Sequence, residues 1–214
     1  MTAVVSLALG IGANTVVFGT LYALLMRPAP VREPGRLQFV NSRGFPAISL
    51  PAYRDIRDRS EVFESLFAVR IVQVALGQRE TGARRAGGLL ASGNYFQALG
   101  VEPALGRFFT AEEDRAVNAS PYVVLSYNCW QSRFGGQAGI VGSEVRVNGK
   151  PYQVLGVAPR GFHGTEVFYQ PDLWIPMAMQ PRIEGTNSLD CRGCGNFWVV
   201  GRLKDGVTVG QAAA

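Results

Sequence analysis

Charged side chains are scarce in this 214-residue chain and absent from its first 26 residues. They make up 17% of the sequence, against about 25% in a typical soluble domain, while hydrophobic residues make up 47%. The run from Thr2 to Met26 contains no charge at all. This composition argues against a wholly soluble protein and favours one membrane segment joined to a folded domain.

The uncharged run is long enough to cross a membrane as a helix. Its 25 residues would extend roughly 37 Å, which exceeds the hydrocarbon core of about 30 Å. A cleaved signal peptide is the alternative, but it needs a basic region before a shorter apolar core, and no basic residue precedes Arg27. We therefore predict an uncleaved transmembrane helix over residues 1–27 and a proline-rich connector over residues 28–36.

Lysine and histidine are almost absent. Only Lys150 and Lys204 are lysines, so the net charge of +5 comes from scattered arginines with one adjacent pair, Arg84 and Arg85. Nucleic-acid binding needs a clustered basic stripe with stacking aromatic residues, so we predict no nucleic-acid partner. His163, the only histidine, is interpreted as a solvated loop residue and not as a catalytic base.

Motifs for nucleotide binding or catalysis are also missing. The chain lacks the G-x-x-x-x-G-K-[ST] motif with which a nucleotide-binding subunit holds phosphates. The acidic cluster Glu112 to Asp114 is interpreted as a set of first-turn charges favoured by a helix dipole, after a capping box formed by Thr110 and Glu113. We predict no catalytic residue, no cofactor and no metal site, and hence a protein that is not an enzyme.

Two of the three cysteines, Cys191 and Cys194, form a C-x-x-C motif. Such a pair can be a redox centre, half of a zinc site, a structural disulfide or two inert thiols. A redox centre favours a helix N-terminus, whereas this motif leads into a predicted strand. A zinc site would need further ligands, for which only Cys129 and His163 are left. We favour a loop disulfide and leave the other readings open.

The hydrophobic pattern predicts interleaved helices and strands, and therefore an α+β fold. The strongest local signal is Asn148-Gly149, which predicts a tight hairpin because both residues tolerate positive φ. Ser126 and Gly135 bound one predicted helix, and Gly100 ends another that begins at Asn94. The other predicted strands are Leu37 to Val40, Ile71 to Leu76, Leu89 to Ala91, Tyr122 to Leu125, Asp172 to Met177 and Asn196 to Leu203.

Two further predictions rest on weaker patterns. An apolar stripe predicts that the helix capped by Ser49 continues through Phe63, Leu66 and Phe67. Pro176 predicts an edge position for its strand, because proline cannot donate to a strand neighbour. Thr208 caps a final helix, which we expect to continue beyond the end of the sequence.

The order of these segments resembles the MacB-like periplasmic core domain with its preceding membrane helix. This domain is the extracytoplasmic part of type VII ABC transporter permeases, the MacB and FtsX superfamily, and the resemblance extends to the acidobacterial-type duplicated orphan permeases. The blocks that carry it are, in order, LALGIGANTVVF, LMRPAPVREPGRLQFV, YRDIRDRSEVFESLFA, SGNYFQALGVEPALGRFFTAEED, VVLSYNCWQSRFGG, VNGKPYQVLGVAPRGFHG, PDLWIPM and VGRLKDGVTVGQA.

The resemblance implies a two-lobed, mixed α/β extracytoplasmic domain. A porter-like part is built from two βαβ units, and a sabre-like lobe is inserted between them. On this pattern residues 37–100 form the first porter-like unit and residues 101–195 form the inserted lobe. Residues 196–214 start a second porter-like unit, which is truncated at the C-terminus.

The resemblance also implies a non-catalytic role in transport. The positive-inside rule would place the domain in the cytoplasm, because Arg27, Arg32 and Arg36 follow the helix. In the family, however, the helix enters from the cytoplasm, so the domain lies outside the inner membrane. The implied partners are a cytoplasmic ATP-binding subunit or domain, a second permease copy or half, a periplasmic adaptor and membrane lipid.

The implied mechanism is mechanotransmission, in which ATP-driven motion of membrane helices reaches the outer domain and exports or releases a substrate. The sequence does not indicate which substrate is moved. One alternative is a single-anchor extracytoplasmic thiol-disulfide enzyme that uses Cys191 and Cys194. Another is an FtsX-like regulator of a cell-wall hydrolase.

Overall fold

The computed structural model describes residues 12, 14, 31–41, 47–78, 82–165 and 169–212. The transmembrane helix predicted over residues 1–27 lies outside the described residues, except that Gly12 and Asn14 are helical. No helix within the described ranges is both long and apolar enough to cross a membrane.

The described part of the chain forms a mixed α/β domain around a nine-stranded sheet. The strands are β1 (Leu37–Val40), β2 (Phe63–Gly77), β3 (Arg84–Ala91), β4 (Leu105–Gly106), β5 (Tyr122–Leu125), β6 (Glu144–Val147), β7 (Lys150–Val157), β8 (Leu173–Pro176) and β9 (Trp198–Leu203). Their order is β1-β9-β2-β3-β8-β5-β7-β4, and β6 pairs with β2 and β7. The β3–β8 and β5–β7 pairs are parallel, and the other pairs are antiparallel.

Helices pack on both faces of this sheet, except the last described one, which buries no residue. They are α1 (Leu50–Arg59), α2 (Tyr95–Leu99), α3 (Tyr127–Phe134), α4 (Gln180–Glu184) and α5 (Val209–Ala212). The hydroxyl groups of Ser49 and Ser126 accept backbone N–H groups at the starts of α1 and α3. Gly100 and Gly135, with φ of 67° and 64°, end α2 and α3. These capping signals in the sequence are confirmed.

The core consists of two apolar clusters, because side chains alternate between the faces of β2. Leu66 and Ala68 contribute to the first cluster, and Phe67 and Val69 contribute to the second. Side chains of α1 and α3 pack in the first cluster, and those of α2 pack in the second. The Asn148-Gly149 hairpin between β6 and β7 is confirmed, with positive φ at both residues.

Strand β9 lies between the two strands of a split βαβ unit. Both β1 and β2 pair with β9 in antiparallel orientation, so β1 and β2 are parallel to each other and are connected through α1. The C-terminal end of β9 consequently lies beside Leu37 at the start of β1, which follows the connector.

The predicted long helix after Ser49 is wrong. Helix α1 ends at Arg59, and Phe63, Leu66 and Phe67 belong to the 15-residue strand β2. This strand pairs with β9 and β3, and such non-local pairing outweighs helical spacing in a segment rich in aromatic and β-branched residues.

The predicted edge position of the strand that contains Pro176 is also wrong. Strand β8 lies between β3 and β5 within the sheet. Pro176 is the last residue of β8, opposite Ala91, where a missing N–H group does not interrupt the strand. The pattern identified the strand but not its position.

Candidate functional site

The described part of the connector, residues 31–36, is attached directly to the folded domain. The backbone N–H of Arg32 donates to the carbonyl of Leu99 at the end of α2, at 2.9 Å. Glu33 has a left-handed backbone with φ of 45°, which turns the chain into a 3-10 turn at Pro34–Arg36. This turn leads without a further loop into β1.

Arg202 of β9 is the most deeply buried charged residue of this region, with 1% of its surface exposed. Its Nε and Nη2 atoms donate to the carbonyl of Ala98 in α2, at 3.3 and 3.0 Å. Its Nη1 atom donates to the carbonyl of Glu33, at 3.2 Å. Burial lowers the pKa of Arg202, while the carboxylates of Glu64 and Glu33 act in the opposite direction.

Arg36 provides a second set of contacts at the same place. Its guanidinium forms ion pairs with Glu33 at 2.8 Å, Glu64 at 3.2 Å and Asp205 at 2.8 Å. It also donates to the carbonyl of Leu203 at the end of β9, with the Nε atom at 2.9 Å. Arg36 therefore joins the connector to the start of β2 and to the turn after β9.

We call the cluster formed by Glu33, Arg36, Glu64, Arg202 and Asp205 the connector junction. Exposed ion pairs contribute about 0–1 kcal/mol each, whereas hydrogen bonds from charged groups contribute about 1.5–3 kcal/mol. Arg202 is buried and Asp205 is almost fully exposed, with 96% of its side-chain surface accessible. The hydrogen bonds that Arg202 and Arg36 donate to the carbonyls of Glu33 and Leu203 therefore contribute more to the attachment of residues 31–36 than the exposed ion pair with Asp205.

The sequence interpretation treated the arginines as solvated and so missed the connector junction. The sequence contains one sign of this cluster, which is the position of Arg202 inside the apolar strand sequence WVVGRL. A charge in such a position is buried only when it is paired or hydrogen-bonded. Its partners, Ala98 and Glu33, lie more than 100 residues away in sequence and could not be identified from the pattern.

A second candidate site is an open cleft of about 620 Å³ between α1 and the loop that contains Asp114. Arg54, Arg57 and Arg115 contribute to its lining. The carboxylate of Asp114 accepts the backbone N–H of Gly93 at 2.9 Å and that of Ala178 at 2.6 Å. Burial raises the pKa of Asp114 to about 6, although the two N–H donors act in the opposite direction.

The interpretation of the acidic cluster as first-turn helix charges is therefore wrong for Asp114. Residues 111–114 form hydrogen-bonded turns and not a helix. The carboxylate of Glu113 accepts the backbone N–H of Thr110 at 3.0 Å, as the capping-box spacing suggests. It is also held by Arg107 at 2.7 Å. Asp114 instead joins the end of β3 to the segment that follows β8.

The cysteines and the histidine that the sequence singles out lie on different segments of the structure. Cys191 and Cys194 form a disulfide in the loop between α4 and β9, with their Cα atoms 5.3 Å apart. Cys129 is buried in α3, and burial raises the pKa of its thiol to about 12. His163 is partly exposed in the segment after β7. Within the described ranges, no group of three potential metal ligands is present.

The titration of Asp114 leads to a prediction about stability. Since its pKa of about 6 in the folded state exceeds the ordinary value of 3.8, its carboxyl group adds stability at acidic pH that is lost as the pH rises through 6. We expect the wild type to gain stability relative to Asp114→Asn as the pH falls from 7 to 4. Urea unfolding of both proteins across this range measures the difference.

Asp58→Asn provides the matched control for this prediction. Its hydrogen bond with Arg57 lowers the pKa of Asp58, so the stability that this carboxylate contributes is lost as the pH falls. The difference from wild type should therefore change in the opposite direction. A pH-independent difference for Asp114→Asn would contradict the assigned titration.

Several solved structures resemble this chain. Among solved structures, the periplasmic region of MacB from Actinobacillus actinomycetemcomitans is 15% identical, with a TM-score of 0.64 over 83% of this chain and 77% of that chain. A domain assigned to a permease protein of Porphyromonas gingivalis is 18% identical, with a TM-score of 0.61 over 81% and 77%. The extracellular domain of the ABC-type transporter YknZ from Gram-positive bacteria is 15% identical, with a TM-score of 0.57 over 79% and 83%.

These structural similarities establish the fold. No curated protein sequence matches the chain significantly. The family model of the MacB-like periplasmic core domain matches residues 1–214. The chain therefore belongs to the family of MacB-like periplasmic core domains.

Proposed function

We propose that this chain is the extracytoplasmic domain and first membrane helix of an ABC transporter permease. In this role it couples ATP-driven motion of membrane helices to the export or release of a substrate, and it is not itself catalytic. Membership of the MacB-like periplasmic core domain family and the shared fold support a role as a transporter component.

The connector junction is the observation that carries the mechanical part of this proposal. A helix transmits its motion to a domain most completely if the segment between them does not bend independently of the domain. Arg202 and Arg36 fix residues 31–36 of the connector to α2, β2 and β9, and β9 is itself paired with β1 and β2. Displacement of residues 31–36 would therefore be transmitted to the sheet.

We also propose the two-lobed division of the domain. Residues 37–100 would form the first porter-like unit, residues 101–195 the inserted sabre-like lobe, and residues 196–214 the start of a second porter-like unit. The split βαβ unit supports this division, because β9 inserts between β1 and β2. The helix α5 after β9 is the next element that such a second unit requires.

The proposed partners follow from the same role. A cytoplasmic ATP-binding subunit or domain would supply the energy, and a second permease copy or half would complete the transporter. A periplasmic adaptor would receive the substrate. Residues 1–27 would contact membrane lipid in the inner membrane, with the domain outside the cytoplasm.

The proposed topology predicts where an introduced thiol reacts. Ala138 is exposed, Cys129 is buried, and Cys191 and Cys194 are paired, so Ala138→Cys adds one accessible thiol to a chain with little background reactivity. We expect a membrane-impermeant maleimide to label this variant in intact spheroplasts, with wild type as the control. Labelling that requires lysis would place the domain in the cytoplasm.

Substitutions in the connector junction test force transmission in the complete permease with its ATPase. Arg202→Lys keeps a positive charge but removes the guanidinium fork that spans the carbonyls of Ala98 and Glu33. Because the connector is then held less firmly to the sheet, we expect export per ATP hydrolysed to fall several-fold. Export and ATPase activity are measured in the same proteoliposomes.

Two further variants make this experiment interpretable. Arg36→Gln removes the partly exposed contacts to Glu33, Glu64 and Asp205 and should also lower coupling, so it provides the test if Arg202→Lys does not fold. Arg160→Gln replaces an exposed arginine outside the connector junction and should leave coupling unchanged. Normal export per ATP in folded Arg202→Lys, or in folded Arg36→Gln if Arg202→Lys does not fold, would contradict the proposed coupling role.

A further inference from the structure

The loop between α4 and β9 is fixed at its ends but exposed in its middle. Leu189 and Phe197, on either side of the disulfide, are buried in the first apolar cluster. Between them, Cys191 and Cys194 are partly exposed and Arg192 is exposed. Solvent and soluble reagents can therefore approach the disulfide while both ends of the loop stay packed.

Two ion pairs of opposite polarity connect this exposed part of the loop to α1. The Nη1 atom of Arg192 lies 2.7 Å from the Oδ2 atom of Asp55. The Nη1 atom of Arg54 lies 3.3 Å from the Oδ1 atom of Asp190. The two pairs join neighbouring residues of α1 to residues immediately before and within the disulfide ring.

These ion pairs are too exposed to order the loop unaided. The side chains of Asp190 and Arg192 retain 74% and 69% of their accessible surface, and ion pairs of this kind are screened by solvent. The disulfide lowers the entropy that the free loop would have to lose. The bond between Cys191 and Cys194 therefore adds to the backbone hydrogen bonds from Cys191 to Ser188 and from Cys194 to Cys191 in ordering the loop against α1.

We propose that the Cys191–Cys194 disulfide is a thiol–disulfide exchange site for dithiol reductants, and that its cleavage releases residues 190–194 from α1. In this role the chain is the substrate of a reductant and not a redox enzyme. This role does not require the transport function proposed above.

The exchange follows two displacement steps. A thiolate of the reductant attacks one cysteine sulfur, which breaks the Cys191–Cys194 bond and leaves the electron pair on the other sulfur. The second thiolate of the reductant then attacks the resulting mixed disulfide. The reductant leaves as its own disulfide, two electrons pass to the cysteines, and the two protons released by the dithiol end on the two new thiols.

The experiment uses the full chain in detergent micelles under native conditions. It is treated with dithiothreitol in one arm and with a thioredoxin-type dithiol protein in the other, then labelled with iodoacetamide and analysed by mass spectrometry. We expect labelling of Cys191 and Cys194 while the buried Cys129 stays unlabelled. Reduction in either arm supports the exchange site, and the relative rates identify the preferred class of dithiol.

Hydrogen exchange of the same samples tests the release of the loop. Reduction should accelerate amide exchange several-fold in residues 190–196 and in the turn of α1 that contains Arg54 and Asp55. Cys191→Ser with Cys194→Ser should show this faster exchange without reductant, and reductant should not change it further. If that variant does not fold, the reduced wild type still provides the measurement.

Two results would overturn the proposal. One is labelling of Cys191 and Cys194 only together with Cys129, which would mean that reduction requires global unfolding. The other is complete reduction with no change of exchange in α1 or the loop, which would mean that the ion pairs hold the loop without the disulfide.

Discussion

The hydrogen bonds of the buried Arg202 guanidinium are the central interaction in the packing of residues 31–36 against the folded domain. Arg202 lies on β9, between β1 and β2, and reaches the carbonyls of Ala98 and Glu33. Removing a partner from a buried charge costs several kcal/mol, because the charge is then left without compensation. The end of α2, the connector and the central strand of the split βαβ unit are therefore held in place together.

The backbone of the connector is shaped to fit this interaction. Glu33 has a left-handed conformation, which costs a non-glycine residue on the order of 1 kcal/mol. The conformation turns its carbonyl group toward both Arg202 and the N–H of Arg36, and its side chain pairs with Arg36. The strain of this residue is thus offset by the contacts of its carbonyl and carboxylate groups with Arg202 of β9 and with Arg36.

Features specified by neighbouring residues could be predicted from the sequence. The Asn148-Gly149 hairpin needs only two residues that accept positive φ, and α3 needs only Ser126 before it and Gly135 after it. The family resemblance was likewise visible in ordered local blocks, and the match of the family model confirms it. The membrane helix over residues 1–27 stays a prediction.

Features that depend on distant partners could not be predicted in the same way. Phe63 and Phe67 fit a helical stripe, and only pairing of β2 with β9 makes them strand residues. The spacing around Asp114 fits a helix-end charge, because its two donors, Gly93 and Ala178, belong to two other segments of the chain. Arg202 raised the same difficulty, because a strand sequence does not reveal which carbonyls a buried arginine will reach.

The most direct test of a stiff connector is a distance measurement in the complete permease. Spin labels at Arg32 in the connector and at Ala138 in the domain would be measured by pulsed electron resonance without nucleotide and with ATP. The account predicts one narrow distance distribution that is the same in both states, because the connector and the sheet move together. A distribution that broadens or shifts when ATP binds would show that the connector bends independently of the domain, and would contradict the account.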